Sequence, residues 1–122
     1  MSKPAACVDA DASLLVVANT LAEAEIGALV VMGKQGLVGV ISERDVVRAV
    51  SVGGEPSALW ASDVMAEHPV WVGPDERVVD VAERLLDAGI RHAPVVADGR
   101  LEGMVSARDL LRVLNDAWRR DR

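Results

Sequence analysis

Apolar positions along the chain fall into an order that appears twice: a short run, a helical stripe, two apolar runs split by a turn, and a closing helix. In the first series a short strand is predicted around Val8, followed by an acidic turn at residues 9–11. Leu14, Val17, Ala18 and Leu21 then recur at the spacing that puts them on one helix face. Residues 28–32 and 37–41 are apolar runs of strand length, and Gly33-Lys34-Gln35-Gly36 between them is a hairpin signal. A closing helix is predicted from Glu43.

The second series follows the same plan. A short strand is predicted over residues 70–72, then the turn Gly73-Pro74-Asp75-Glu76, then a stripe of Val78, Val81, Ala82 and Leu85. Asp75 is the predicted N-cap of that helix and Gly89 its C-terminal stop. Runs at 93–97 and 101–105 flank Asp98-Gly99, and the closing helix runs from Ala107 to about Trp118, before the charged tail Arg119-Arg120-Asp121-Arg122. Between the series, residues 52–56 read as loop, and residues 59–65 as a short helix ending before His68-Pro69.

The two series are copies. Gly39-Val40-Ile41-Ser42-Glu43-Arg44-Asp45 recurs 64 residues later as Gly103-Met104-Val105-Ser106-Ala107-Arg108-Asp109. At that fixed offset Val8 meets Val72, Asp11 meets Asp75, Leu21 meets Leu85, Ile26 meets Ile90 and Arg48 meets Arg112, with no gap. The fold class is therefore α/β (α+β), two β-α-β-β-α repeats, with domains at 1–58 (including loop 51–58) and 59–122. One such unit is too small to hide both faces of its sheet, and packing two copies through their sheets solves that problem.

Composition narrows the function. Apolar residues make up 51% of the chain, yet it holds no Phe, no Tyr and three Trp, so Val, Leu, Ile and Ala must build the core. A formal charge of −6 disfavours a general nucleic-acid binder, which needs clustered cations, and the missing aromatics remove the usual base-stacking platforms. Cys7 stands alone and fits a reducing compartment. The two histidines, His68 and His92, are too few and too far apart for a His-based metal site, and no metal is expected. Residues 1–9 lack the apolar core of a signal peptide, and no apolar run approaches a membrane span, so a cytoplasmic protein is expected. The abundance of Ala, Val, Arg and Asp points to a GC-rich bacterial source.

The repeated Gly-hydrophobic-x-Ser-x-x-Asp motif in this context resembles the CBS-domain family, named for cystathionine β-synthase. Residues 26–31 and 90–96 look like that family's second strand with its preceding turn, and Asp63-Val64-Met65 like the stretch that opens a second copy. The resemblance covers nearly the whole chain and leaves no room in it for a fused catalytic domain. It implies a pseudo-twofold disc with two clefts that take adenosine-containing ligands: AMP, ADP, ATP, S-adenosylmethionine or a dinucleotide. It further implies that Asp45 and Asp109 bind ribose hydroxyls, and that Ser42 and Ser106, with Arg44 and Arg108, meet phosphates. Apolar and backbone groups at Val8, Gly27 and Ala28, and at Val70, Val72, Arg91, His92 and Pro94, would hold the rest of the ligand. The family's architecture suggests that each cleft borrows across the repeats, Asp45 facing Arg91 and His92, Asp109 facing Gly27 and Ala28; the Asp45 cleft is then the better anion site. A homodimer and a regulated partner protein are also implied.

Elementary chemistry fits those roles. A Ser at a strand-to-helix switch borders free helical N–H groups that favour an anion. An ionised Asp three residues on only accepts hydrogen bonds, which suits a ribose diol. The same Ser-x-x-Asp spacing also describes a helix capping box. Arg44 and Arg108 read equally as solvated first-turn residues, and Trp60, Trp71 and Trp118 as packing or dimer anchors. Catalysis is disfavoured, because the chain has no nucleophile elbow, no phosphate-binding Gly-Lys loop and no metal-ligand cluster. A ligand-free interaction module remains the alternative to a nucleotide sensor.

Overall fold

The computed structural model describes residues 6–67 and 70–120. The expected stop at His68-Pro69 and the last two residues of the charged tail lie outside the described residues. Two compact units divide the chain, with the boundary between Pro69 and Val70.

The first unit holds β1 (Cys7–Asp9), α1 (Leu14–Ala24), β2 (Ala28–Gly33), β3 (Gly36–Ser42), α2 (Glu43–Ser51), α3 (Ala61–Val64) and β4 (Ala66–Glu67). Its strands lie in the order β1-β2-β3-β4, β1 parallel to β2 and the other pairs antiparallel. Leu14, Val17 and Leu21 are the buried face of α1, packed with Val8, Leu29, Val31, Ile41 and Ala61. Ser13 caps this helix, its Oγ accepting the Val16 N–H at 3.3 Å. Glu25 ends it in the left-handed region at φ 54°.

Residues 59–67 pack with this first unit, although the composition break sets 59 at the start of the second domain. Backbone bonds explain their allegiance: Leu14 N–H donates to Leu59 O, Ala61 N–H to Ala12 O and Ser62 N–H to Ala10 O. β4 then pairs with β3 at Gly39 and Val40. A Cβ at Gly39 would stand 2.6 Å from Met65 Sδ and 2.7 Å from Ala66 O, so this motif glycine is required by the close approach of the connector.

The second unit holds α4 (Val78–Ala88), β5 (His92–Ala97), β6 (Arg100–Ser106) and α5 (Ala107–Arg120), the last running two residues past Trp118. Its core is Val72, Val81, Leu85, Ala93, Val95, Val105 and Leu110. The hairpins of both units carry a register shift at the same repeat position, Val31/Met32 and Val95/Val96. Their turns differ. Asp98 and Gly99 both take positive φ, 52° and 75°, as a two-residue type I′ turn requires, whereas in the first hairpin it is Gly36 that does so.

Two expectations for the second unit are corrected. Residues 70–72 do not form a strand: only Val72 makes a ladder contact, a single parallel bridge to Val95. The cause is a pair of prolines, Pro94 and Pro74. At the matching positions of the first unit, Val30 N–H donates to Ala6 O at 3.0 Å and Ala10 N–H to Met32 O at 2.9 Å, bonds proline has no hydrogen to make. Asp75 is not the N-cap either. Gly73 to Glu76 close a turn first, Glu76 N–H donating to Gly73 O at 3.3 Å, and the helix starts only at Val78. Arg77 holds the cap position and turns its guanidinium to Asp80 at 3.0 Å instead. Gly89 does stop α4, at φ 67°.

Both cores are aliphatic. Trp60, Trp71 and Trp118 are 54%, 43% and 58% exposed. Among the described residues no helix is long and apolar enough to cross a membrane, and no three His, Cys, Asp or Glu gather as metal ligands.

Candidate functional site

Each Ser-x-x-Asp motif sits where a hairpin's second strand becomes the closing helix. In the first unit Ser42 N–H and Oγ–H donate to Asp45 Oδ2 at 2.8 and 3.0 Å, and Asp45 N–H donates to Ser42 Oγ at 3.2 Å. In the second, Ser106 N–H donates to Asp109 Oδ2 and Asp109 N–H to Ser106 Oγ, both at 3.1 Å. These are capping boxes, so the structural reading of the motif holds in both copies. Burial pushes the Asp109 carboxyl up, but the Ser106 N–H and hydroxyl, with Arg112 nearby, outweigh it and hold the group below the usual carboxylate range.

The turn before each hairpin completes the cap. Glu43 N–H donates to Gly27 O at 3.0 Å, and Ala107 N–H to Arg91 O at 2.8 Å. Across the hairpin Ala28 pairs with Ser42, and His92 with Ser106. Within one unit the fold thus gathers Gly27, Ala28, Ser42, Arg44 and Asp45, and within the other Arg91, His92, Ser106, Arg108 and Asp109. The second cluster carries two arginines and the first carries one. The first helix start also bears Glu43, where the second has Ala107. On local charge alone the second cluster is the more hospitable to an anion.

Chemically, each cluster offers a carboxylate with one oxygen engaged by the cap and a second left to accept from a hydroxyl. For Asp45 that second oxygen, Oδ1, has Arg48 at 3.9 Å. Each also offers the N–H of the second helical residue, Arg44 or Arg108, which comes too early for an intrahelical partner. Arg44, Arg91 and Arg108 are exposed, and among the described residues none of them pairs with a carboxylate. Val8, Ala28, Val72 and Pro94 are buried, and Val70 packs against the second core.

One cluster went unread in the sequence. Arg84 donates to Glu76 Oε1 and to the Trp71 carbonyl, each at 2.6 Å, while Glu76 Oε2 accepts the Gly73 N–H at 2.6 Å. The Gly73 N–H and the Arg84 guanidinium hold the Glu76 carboxyl below its ordinary range. Separations of 8 and 13 residues, spanned by an irregular turn, leave no periodic signal to find.

Comparison with known proteins agrees with the geometry. A model of the CBS domain matches residues 1–52 and 61–116. An uncharacterised 17.7 kDa protein of Acidianus ambivalens is 38% identical over 101 residues, covering 81% of this chain and 60% of the relative. The mitochondrial CBS domain-containing protein CBSX3 of Arabidopsis thaliana is 34% identical over 102 residues, covering 79% of this chain and 50% of the relative. The chain therefore spans about half the length of curated relatives it matches. Among solved structures, the CBS-domain containing protein ATU1752 from Agrobacterium tumefaciens superposes with a TM-score of 0.82 at 31% identity, covering 88% of this chain and 82% of that one. The CBS domain pair of protein MJ0100, in complex with 5-methylthioadenosine and S-adenosyl-L-methionine, superposes with a TM-score of 0.87 at 26% identity, covering 96% and 93%. With two matched regions, a duplicated fold and a duplicated motif, the chain belongs to the CBS domain family.

Proposed function

We propose that this chain is a regulatory module that binds an adenosyl ligand, AMP, ADP, ATP or S-adenosylmethionine, and passes its occupancy to a partner protein, itself catalysing nothing. The observation that carries the reading is the duplicated Ser-x-x-Asp cluster, each copy with a carboxylate oxygen and a helical N–H left over after capping. It is supported by the adenosyl ligands held by the CBS domain pair of MJ0100. Ser42, Arg44 and Asp45, with Ser106, Arg108 and Asp109, are the residues assigned to ribose and phosphate. Signalling requires that the ligand favour one conformation of the module over another, since equal affinity shifts nothing. The module works as a cytoplasmic homodimer in this reading, its outward Val47, Val50, Leu111 and Leu114 meeting a second copy.

Thermal unfolding against AMP, ADP, ATP, S-adenosylmethionine and NAD, beside Asp45→Ala and Asp109→Ala, tests it. A ligand at 100 times its Kd adds about 2.7 kcal/mol, which for a domain of this size raises Tm by several degrees. A shift lost in one Asp variant establishes the sensor and names its principal site. The completed capping boxes favour a second reading, in which the motif only secures helix starts and the chain is a ligand-free interaction module. Absence of any shift selects that reading.

A further inference from the structure

Residues 70–76 of the second unit are tied down differently from their counterparts in the first. There, β1 pairs with β2 over three residues, and the following turn is fastened by the connector through the Ala10, Ala12 and Leu14 backbone. Here Pro94 and Pro74 each remove a ladder donor, and what remains is Val72 N–H to Pro94 O at 3.0 Å and Val96 N–H to Val72 O at 2.8 Å. Two backbone bonds are a weak hold on an edge segment.

The side chains of Arg84 and Glu76 supply the missing ties. Arg84 projects from α4, and its two terminal nitrogens take the Trp71 carbonyl and Glu76, which in turn holds the Gly73 N–H. A planar, two-pronged donor reaches the two acceptors from separate nitrogens, whereas an ammonium has a single nitrogen at the end of a flexible stem. At the matching position of the first unit Thr20 donates to its own helix, at Val16 O. We infer that Arg84 is a positioning residue, which with Glu76 locks the segment bearing Val70 and Val72 to α4, adding to its two bonds with β5, and so keeps the apolar wall of the nucleotide site in its binding-competent place. This rests on the function proposed above, since it assigns that segment to the ligand.

The lock has a quantitative consequence. When the competent conformation is only a fraction of the population, the apparent Kd rises by the reciprocal of that fraction. Amide exchange and AMP and S-adenosylmethionine titrations on Arg84→Met, Arg84→Lys and Glu76→Gln, well below Tm, test it. In Arg84→Met, exchange at Val72 and Val96 speeds by about tenfold or more as the segment opens locally, and Kd rises by about the same factor. Exchange in the first unit and in α4 stays as in the wild type. Arg84→Lys, keeping the Glu76 pair alone, recovers part of both effects, and Glu76→Gln, which leaves an oxygen for Gly73 N–H, is the milder variant if Arg84→Met fails to fold. Unchanged exchange at Val72 and Val96 overturns the lock, and faster exchange with unchanged Kd overturns its role in binding. If the wild-type chain binds neither probe, the nucleotide reading fails, and the positioning role falls with it, while the exchange arm still decides the lock.

Discussion

The two repeats share a helix, a β-hairpin and a closing helix in the same order, yet each fastens its parts by different means. The first caps α1 with Ser13, stops it at Glu25, pairs a three-residue β1 and pins its turn with the connector. The second has no side-chain cap on α4, stops it at Gly89, keeps one bridge in place of β1 and fastens its turn with Arg84 and Glu76. What is common is what the sheet and core demand, while the fastenings are interchangeable as long as each backbone group finds a partner.

The comparison breaks most sharply in the cores. Leu14 is fully buried, whereas its counterpart Val78 is only half-buried. Leu14→Ala should lower the free energy of unfolding by about 2–5 kcal/mol, and Val78→Ala by only about 1 kcal/mol. Urea denaturation followed by far-ultraviolet circular dichroism measures both, and equal losses would mean that the repeats are packed alike.

A smaller effect sharpens the contrast at the helix starts. Asp109→Asn weakens a cap worth about 1 kcal/mol. Because the folded Asp109 carboxyl is held below its ordinary range, its contribution is complete above the unfolded pKa and disappears as pH falls through the folded value. Wild-type stability should thus drop more steeply than that of Asp109→Asn on acidification below the ordinary carboxylate range, as a pH series of denaturation curves would reveal. Parallel slopes would separate this cap from the acid response.

Smallest is the pair of left-handed helix ends. Gly89→Ala should cost about 1 kcal/mol, the steric penalty of a Cβ at positive φ. Glu25→Gly removes that strain but loosens the unfolded chain, leaving a gain of about a few tenths of a kcal/mol. Midpoints from thermal melts decide it, and a loss at Glu25→Gly would show that the Glu25 side chain has a role of its own.

Much of this architecture was legible because the relevant signals are local or periodic. The 64-residue offset, both stripes, both hairpins and the stop at Gly89 follow from spacing and turn chemistry alone. The Ser-x-x-Asp motif was legible as a cap because its three-residue spacing is that of a helix start. The rest depends on contacts that spacing does not encode. Val70 and Val72 look like strand until Pro94 is known to lie opposite, and Asp75 looks like a cap until the Gly73–Glu76 turn is closed. Residues 59–67 look like the start of the second repeat until their hydrogen bonds run back to residues 10–14.

The exposed tryptophans make the molecule its own optical instrument. With no Tyr in the chain and no Trp in either core, near-ultraviolet absorption and emission come from Trp60, Trp71 and Trp118 alone. Each is already about half exposed in the folded chain, so unfolding changes its surroundings less than it would those of a buried tryptophan. Trp71 stands beside Val72 with its carbonyl in the grip of Arg84. With Trp60 and Trp118 replaced by Phe, its emission reports on that one segment and little else.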